Sequence, residues 1–588
     1  MRTLRAALSC VLALTPAAFA AETIKNPDTF VYATIGDPDS LDPIWSYDTA
    51  SHNIIANIYE FLLAYKGSGL SVKDLVPMIA GKVPSKANGL VSADGLTYRF
   101  PIRKGVKFHD GTILTPEDAR YSILRFLLVD RDGGPASLLL EPILGVNSTR
   151  KNGKFDPEIG GRAFAAVTVD KGDLVIKLAR PFAPFLTILA NFGAMTSKDF
   201  CVKNGQWDGQ AATLEAFNNP RREAMIPNEK ADGTGAFKLE RLDKANKQVI
   251  LLRHEGYWRA PAKLRQVVIK VVDDFNTRKL MLQAGDADAV YGPQMYFPQL
   301  QGVPGAEVID GLQNLERSSI LMFTFKMNPT ANQNIGSGKL DGQGVPPDFF
   351  SDKDVRKAFA YSVDYDSYIR DILRGKGRRT SGVIPASLPG GSEPRPQFKL
   401  DPKKAEEHFR KAWGGQVWEK GFKVSFVFNA GSAPSQTIAQ MIKKNIEALN
   451  PKFRVDLRMI QWSTYLEQTQ ANKIPVFLAA WQADYPDAHN FAFPIVHSEG
   501  YYAGKQGYKN PKVDALIDEA SRTQDERTRS SLYKRMQSLV DEDVPHVMLA
   551  EGVRYRAQRT WVKGFVFRPT FPDMPYGGYY YDLYKAVK

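Results

Sequence analysis

Residues Phe422–Met459 read FKVSFVFNAGSAPSQTIAQMIKKNIEALNPKFRVDLRM, and this stretch decides the fold class. Its ends, 422–428 and 453–459, predict strands, and in the second of them apolar residues alternate with charged ones. The segment 434–449 between them has the apolar spacing of a helix, in Ile438, Met441, Ile442 and Leu449. A strand, a helix and a second strand in this order favour two parallel strands joined by a crossover helix, which predicts an α/β fold. Ligands bind beyond the carboxyl ends of such strands, so the loop 429–432 is a candidate site.

The rest of the chain alternates short strands with capped helices and shows no repeat of fixed period. Alternating apolar residues in Thr97–Ile102 predict a half-buried edge strand, in which Pro101 is tolerated. Thr115 can cap a helix that has Pro116 at its first position, so the sequence predicts a helix from Pro116 to about Leu128.

The N-terminus has the pattern of a secretory signal peptide. Arg2 and Arg5 precede the apolar run 6–14, and the small residues 18–20 suit cleavage before Ala21. The run is too short to span a membrane, so we expect 1–20 to be removed and the mature protein to be soluble in the periplasm. Cys10 comes too early for a lipid-modified mature N-terminus, so no lipid anchor is expected.

Cleavage leaves Cys201 as the sole cysteine, which excludes an intrachain disulfide and an all-cysteine metal site. With 588 residues and 43% hydrophobic composition, the chain can bury several cores instead. The net charge of +13 falls to +11 without Arg2 and Arg5. Its densest cluster, 374–379, is thin, so we interpret the charge as a solvated surface and expect no nucleic-acid partner.

Motifs of common enzymes are missing from the sequence. It contains no His-Glu-x-x-His zinc motif, no Gly-x-Ser-x-Gly elbow and no Gly-Lys-Ser/Thr phosphate loop. Gly233-Thr-Gly235 lacks the third glycine of a dinucleotide site and is interpreted as a turn. His489 and His497 are interpreted as packed or surface histidines. We therefore expect a binding protein without catalytic residues, cofactor or metal.

Several motifs in a fixed order carry a family resemblance from about Phe30 to the C-terminus. The strongest is Asp94–Thr112 (DGLTYRFPIRKGVKFHDGT), followed by Asp118–Ser122 (DARYS). The others are SLDP at 40–43, GTGAF at 233–237, DVRKA at 354–358 and YKNPKVDALI at 508–517. Together they resemble the family 5 extracellular solute-binding proteins, the dipeptide, oligopeptide and nickel receptors of ABC importers.

The resemblance implies a two-lobed periplasmic-binding-protein clamshell with an extra domain inserted in the first lobe. On this chain, 22–58, 181–312 and 546–588 would form lobe I, 59–180 the inserted domain and 313–545 lobe II. The segment 94–122 would then identify the fold without touching ligand. Partners implied are a peptide or peptide-like solute and a membrane-embedded permease with its ATPase subunits, and we expect a monomer.

The site implied by the resemblance centres on Trp481–Asp487 (WQADYPD). The aspartate three residues after the tryptophan pairs with the ligand's α-amino group in peptide-binding members, which implies this role for Asp484. The alternative is an aspartate that caps the turn before Pro486. Trp481 and Trp462 match tryptophans that line side-chain pockets, where the alternative is core packing. Tyr485, Asn429 and Tyr361 are lining candidates on position alone.

The chain also departs from the best-known oligopeptide binders. The segment 473–480 has no arginine where those proteins place one for the ligand carboxylate. Arg374, Arg378 and Arg379 are near only in chain order, so the carboxylate partner stays unassigned. A receptor for a nickel chelate, a sugar or an opine-like conjugate is the alternative within the family. A secreted peptide hydrolase is a remote alternative outside it.

Overall fold

The computed structural model describes residues 23–587 except 183, 314, 381, 389, 392–396, 524 and 571–577. The predicted signal peptide, 1–20, lies outside the described residues. Helices and mixed sheets alternate through the rest, which confirms the predicted α/β class. No helix in the described part of the chain combines the length and apolar character needed to cross a membrane.

The structure has two large sheets, called the first and the second sheet by the order in which the chain enters them. The second sheet contains the stretch Phe422–Met459. Phe422–Asn429 and Phe453–Ile460 pair in parallel, with Phe422 opposite Phe453, and the helix Ala433–Glu447 connects them. The prediction for this stretch is confirmed in type and direction. The alternating apolar residues of the second strand are not all buried. Met459 is 61% exposed, because its strand lies at the edge of the sheet. In spatial order the five strands are Phe453–Ile460, Phe422–Asn429, Val476–Gln482, Glu316–Phe323 and His546–Met548.

The other large sheet, the first sheet, has seven strands from segments that are far apart in the chain. Thr29–Thr34 pairs in parallel with Gln266–Val271 and with Ala289–Val290. Arg554–Arg559, near the C-terminus, lies between Ala289–Val290 and Ala306–Leu312 and is antiparallel to both. The order is Ala306–Leu312, Arg554–Arg559, Ala289–Val290, Thr29–Thr34, Gln266–Val271, Gln248–Arg253 and Phe237–Asp243.

The chain passes between the two large sheets at two neighbouring places. It leaves the first sheet after Leu312 and enters the second at Glu316. It leaves the second sheet after Met548 and re-enters the first at Arg554. Between these last two residues, Glu551–Gly552 pairs with Gly377–Arg378.

A smaller third sheet packs with helices of the same region. Its edge strand Thr97–Pro101 is the predicted one, and it pairs with Asp173–Lys177. The helix Pro116–Leu128 begins and ends as predicted. Its start is fixed by a cap, in which the hydroxyl of Thr115 accepts from the Asp118 amide and the Asp118 carboxylate accepts from the Thr115 amide. The third strand of this sheet is Val167–Asp170.

The helix Pro116–Leu128 also fixes this region to the chain's N-terminal part. Arg125 is fully buried and donates two hydrogen bonds, of 2.8 and 2.7 Å, to the carboxylate of Asp42. Charge-assisted bidentate pairs of this kind hold a defined geometry. The motif at 40–43 is therefore held against the helix that contains the motif at 118–122.

The remaining elements connect and cover the sheets. The other α-helices are Thr49–Ile58, Ser137–Leu144, Pro157–Ala166, Phe185–Ile188, Lys198–Lys203, Phe275–Ala284, Phe297–Gln301, Lys353–Tyr361, Tyr365–Ser367, Pro402–Lys411, Gln416–Lys420, Trp462–Gln470, His489–Val496, Tyr501–Gln506, Pro511–Arg522 and Glu526–Asp543. The remaining short strands are Leu63–Tyr65, Leu75–Pro77, Arg150–Lys151, Lys154–Phe155, Val562–Lys563 and Tyr584–Lys585.

Candidate functional site

A cavity of about 270 Å³, the main cavity, lies between the two large sheets. One wall comes from the segments 47–52 and 291–294, and the opposite wall from 429–438 and 478–484. Small-molecule sites in proteins are mostly apolar cavities with a few convergent polar groups. The main cavity has this character, with tryptophan and tyrosine rings around a small number of carboxylates.

Asp484 lies on the wall of the main cavity, just beyond the strand Val476–Gln482. Asn490 holds it from both sides: its Oδ1 accepts from the Asp484 amide at 2.7 Å, and its Nδ2 donates to Asp484 Oδ2 at 2.9 Å. The hydroxyl of Tyr47 donates to the same Oδ2 at 2.9 Å from the opposite side of the cavity. No described residue donates a hydrogen bond to Oδ1, which leaves that oxygen for a ligand.

The environment of Asp484 favours its neutral form in the unliganded protein. Although the residue as a whole is half-buried, desolvation raises the pKa of its carboxyl to about 7, and the hydrogen bonds from Asn490 and Tyr47 oppose this only in part. A ligand cation next to Oδ1 would lower this pKa again. A positively charged ligand would therefore shift Asp484 towards its ionised form.

Both predicted tryptophans reach the main cavity. Trp481 is 7% exposed, and its ring meets that of Tyr47 edge to face with centroids 5.8 Å apart. Trp462 stacks on Tyr465 at 5.5 Å and donates from Nε1 to Asp48 Oδ1 at 3.1 Å. Each tryptophan packs against its own side of the cavity and also contacts the opposite side. Each of them therefore both packs and lines the cavity.

The other predicted site residues are spread over three places. Asn429 lines the main cavity at the carboxyl end of its strand, and Ser432 of the same loop does so too. Tyr485 lines a different cavity and hydrogen-bonds His489 Nδ1 at 2.9 Å. Tyr361 is not among the residues around either cavity: it stacks on His408 at 5.6 Å, at the end of the helix Lys353–Tyr361.

The three arginines considered for a ligand carboxylate also lie elsewhere. Arg374 donates to the Met295 carbonyl, Arg378 pairs with Glu551, and Arg379 donates to the Phe398 carbonyl. Among the described residues, Arg554 is the one arginine or lysine around the main cavity, and it pairs with Glu316 at 2.8 Å. The main cavity therefore carries more acidic than basic groups.

Sequence reasoning missed the residues that face Asp484 and Trp462 across the cavity. Tyr47 is distant from Asp484 in the chain, and no local pattern connects them. Asp48 had a local signal, because its side chain caps the helix Thr49–Ile58 through the amide of Ser51. Its pKa is raised to about 6 by burial and by the nearby Asp39, so it adds a second titrating carboxylate to the cavity.

Comparison with known proteins assigns the chain to a family. Residues 75–503 match the model described as bacterial extracellular solute-binding proteins, family 5 Middle. The chain belongs to this family. The matched region includes the segment 94–122 and the Trp481–Asp484 motif, so the resemblance found in the sequence is confirmed.

Individual known proteins resemble the chain over nearly its whole length. The heme-binding protein A of Haemophilus influenzae is 24% identical and covers 94% of this chain and 92% of its own. The dipeptide-binding protein of Escherichia coli is 25% identical, with 92% of each chain covered. The solved structure of the Helicobacter pylori periplasmic binding protein DppA, in complex with the peptide STSA, superposes with a TM-score of 0.69 at 23% identity, covering 95% of this chain and 98% of that one. The two-lobed fold predicted for the family 5 chain is thus confirmed.

None of the residues 94–122 lies around either cavity. This placement agrees with the expectation that the family's signature segment identifies the fold without touching ligand. One of its carboxylates, that of Asp118, caps a helix instead, through its hydrogen bonds with Thr115.

Proposed function

We propose that the protein is the solute-capturing subunit of an ABC importer for peptides or peptide-like solutes. The observation that carries the proposal is Asp484, a partly desolvated carboxylate whose Oδ1 is left for a ligand at the wall of the main cavity. A ligand α-ammonium next to Oδ1 would form a charge-assisted hydrogen bond, worth roughly 1.5 to 3 kcal/mol.

The aromatic walls suit side chains of varied shape. Trp481, Trp462 and Tyr465 present flat apolar surfaces to the cavity. Such surfaces bury many side chains without selecting one, while the fixed Asp484 orients the ligand backbone. Asn429, at the carboxyl end of its strand, is in position to bond a ligand amide.

We also propose the division into lobes and the partners. The first sheet would form the centre of lobe I, the second sheet that of lobe II, and 59–180 the inserted domain. Because His546–Met548 pairs in the second sheet, lobe II would extend a few residues past 545. The protein would act as a periplasmic monomer that delivers its solute to a permease with ATPase subunits.

A receptor for a non-peptide solute is the second candidate. It is favoured by the pairing of Arg554 with Glu316, which occupies the basic group of the main cavity. The similarity to a heme-binding protein also supports it. A solute with an amino group and no carboxylate would fit the main cavity as well as a peptide does.

The experiment begins with native mass spectrometry of the purified protein, to identify a copurified solute. An intact peptide supports the first candidate, a non-peptide mass the second, and a cleaved peptide would favour a hydrolase. Calorimetry then compares the recovered solute with its N-acetylated form on wild type and on Asp484→Asn.

We expect Asp484→Asn to weaken binding by roughly two to three and a half decades, because removing one partner of a buried ion pair costs about 3 to 5 kcal/mol. The asparagine Oδ1 can still accept from Tyr47 and Asn490, so the fold should survive. Binding within about threefold of wild type, or no effect of acetylation, would contradict the amine anchor.

A further inference from the structure

A second cavity, of about 440 Å³, lies next to the main one, and the rings of Tyr47 and Tyr501 line both. These two rings meet edge to face with centroids 5.2 Å apart. The second cavity is formed by the segment 130–150 on one side and by 485–505 on the other. A solute that passes the Tyr47–Tyr501 pair would therefore leave the two large sheets and enter this space.

Lys505 brings a buried amine to the second cavity without a hydrogen-bond partner. Its Nζ atom is buried and makes no hydrogen bond with any described residue. The nearest feature is the face of Tyr501, whose ring centroid is 3.3 Å from Nζ. A cation over an aromatic face gains some stabilisation, but the three donors of an ammonium ion stay unsatisfied.

Arg131 is a second cation at the same place. It is 5% exposed, donates to the Trp45 carbonyl and to Gln470 Oε1, and forms no ion pair within 4.0 Å among the described residues. A Cβ placed on Gly133 would lie 3.0 Å from Lys505 Nζ and 4.0 Å from Arg131 Nη1, so the two cations are neighbours. Burial, and then the charge of Arg131, hold the pKa of Lys505 well below its usual value.

None of the acidic groups described around the second cavity forms an ion pair within 4.0 Å with either cation, and each has another partner. Asp130 and Asp132 pair with Arg150, Glu141 pairs with Arg180, and Glu499 accepts from Asn147. Two buried like charges side by side are unfavourable, and an anion between them removes the cost. The volume exceeds what one water molecule fills.

We propose that Lys505 and Arg131 form an anion subsite that receives the carboxylate of a solute whose amino end lies at Asp484. This inference rests on the proposed function and extends it, since it supplies the carboxylate anchor that the main cavity lacks. The solute would be a zwitterion long enough to pass the Tyr47–Tyr501 pair. Arg131 and Lys505 come from opposite sides of the cavity, so the carboxylate would also hold these sides together.

The first experiment tests the subsite without any peptide. Thermal unfolding of wild type, Lys505→Gln and Lys509→Gln is followed as sodium acetate replaces sodium chloride at constant ionic strength. Lys509 is exposed and follows the same helix, so its variant removes an equal charge outside the cavity. We expect a saturable rise of the melting temperature in wild type and Lys509→Gln, and none in Lys505→Gln.

The variant has a further expected signature in the absence of acetate. Because an amine buried without a partner destabilises the folded protein, whether it keeps its charge or gives up its proton, Lys505→Gln should melt higher than wild type. A structural role for Lys505 predicts the opposite. A lower melting temperature, an acetate response kept in Lys505→Gln, or no response in wild type would each overturn the subsite.

The second experiment identifies the source of the anion. Tri- and tetra-alanine are compared with their C-terminal amides by calorimetry on the same proteins. We expect the free carboxylate to improve affinity about tenfold or more in wild type and Lys509→Gln, and less than about twofold in Lys505→Gln. If acetate acts as expected but carboxylate and amide bind wild type equally, the site takes a free anion and the carboxylate assignment is wrong. Failure of both peptides, but not of acetate, would count against the proposed peptide function alone.

Discussion

Asp484 and Asp48 are two carboxyl groups of the main cavity that hold protons more tightly than ordinary aspartates do. Desolvation is the first cause for both, and the neighbouring charge of Asp39 adds to it for Asp48. With a pKa of about 7, Asp484 is only partly ionised near neutral pH. A cationic ligand must therefore displace a proton from part of the population, which links binding to pH.

We expect the affinity for an amine-bearing solute to weaken as the pH falls below about 7, by up to about tenfold per pH unit. The sign follows from the raised pKa of Asp484, since the proton competes with the ligand ammonium for the carboxylate. An unfolded aspartate titrates near 3.9, so protonated Asp484 stabilises the free protein at acidic pH, and this stabilisation is lost as the pH rises from about 4 to about 7.

Calorimetry between about pH 5 and 8 in buffers of different ionisation enthalpy measures this proton release directly. Asp484→Asn is the matched control, because it keeps the shape of the side chain and removes its titration. An equally steep pH dependence in that variant would assign the proton to another group, with Asp48 the first to test.

At this scale, the sequence could identify only residues whose role shows in a local motif. Asp484 and Trp481 are part of one short segment, and the structure places both at the main cavity. Tyr47 and Lys505 carry no such signal, because their positions follow from the packing of distant segments. Tyr361 shows the reverse case: its position in the chain suggested the cavity, but its helix packs elsewhere.

Among the elements, the turn Gly233–Gly235 has a tight packing role. The Gly235 amide donates to the Ile58 carbonyl at 2.8 Å, at the end of the helix Thr49–Ile58. A Cβ on Gly235 would lie 2.5 Å from the Asn57 carbonyl oxygen, closer than real side chains approach. The glycines therefore let a strand end approach a helix end, which agrees with the prediction of a turn.

We expect Gly235→Ala to destabilise the protein by about 1 to 3 kcal/mol, the usual cost of forcing an extra methyl group into a packed contact. The shift of the guanidinium unfolding midpoint measures it. Gly302→Ala is the control, since nothing lies within 4 Å of a Cβ there and its φ is −91°. A midpoint for Gly235→Ala equal to that of the control would show that the backbone relaxes at no cost.

Element prediction succeeded where the determinants are local. Hydrophobic spacing and capping residues were enough for Phe422–Asn429, Ala433–Glu447 and Pro116–Leu128. The strand order of the first sheet could not be predicted in this way, because no local sequence pattern indicates that Arg554–Arg559 pairs with Ala306–Leu312. Edge position also escaped it, as the exposed Met459 shows.

For the whole molecule, several hydrogen bonds join the two sides of the main cavity directly. Tyr47 bonds Asp484, Asp48 accepts from Trp462, and Asp37 accepts from the Ser463 hydroxyl at 2.6 Å. The chain connects the two large sheets only at 313–315 and 549–553 among the described residues. Two chain connections, with hydrogen bonds across the cavity between them, are typical of two lobes that open and close about a hinge.

We expect a bound solute to close the two sides about these two connections and so reduce the radius of gyration. Small-angle scattering with and without a saturating amount of the copurified solute measures the change. Asp484→Asn under the same conditions should keep the larger radius if it no longer binds. An unchanged radius in wild type at saturation would contradict closure on binding.

The first sheet has a consequence for how the chain folds after synthesis. Ala289 pairs with Gln558, and the strand that contains Gln558 is an inner one, so the sheet stays split until nearly the whole chain is present. Pairings between such distant residues form slowly, because a large loop must close before any contact forms. A chain emerging N-terminus first therefore cannot complete the first sheet early, and its unpaired strands need protection from aggregation until Arg554–Arg559 has been made.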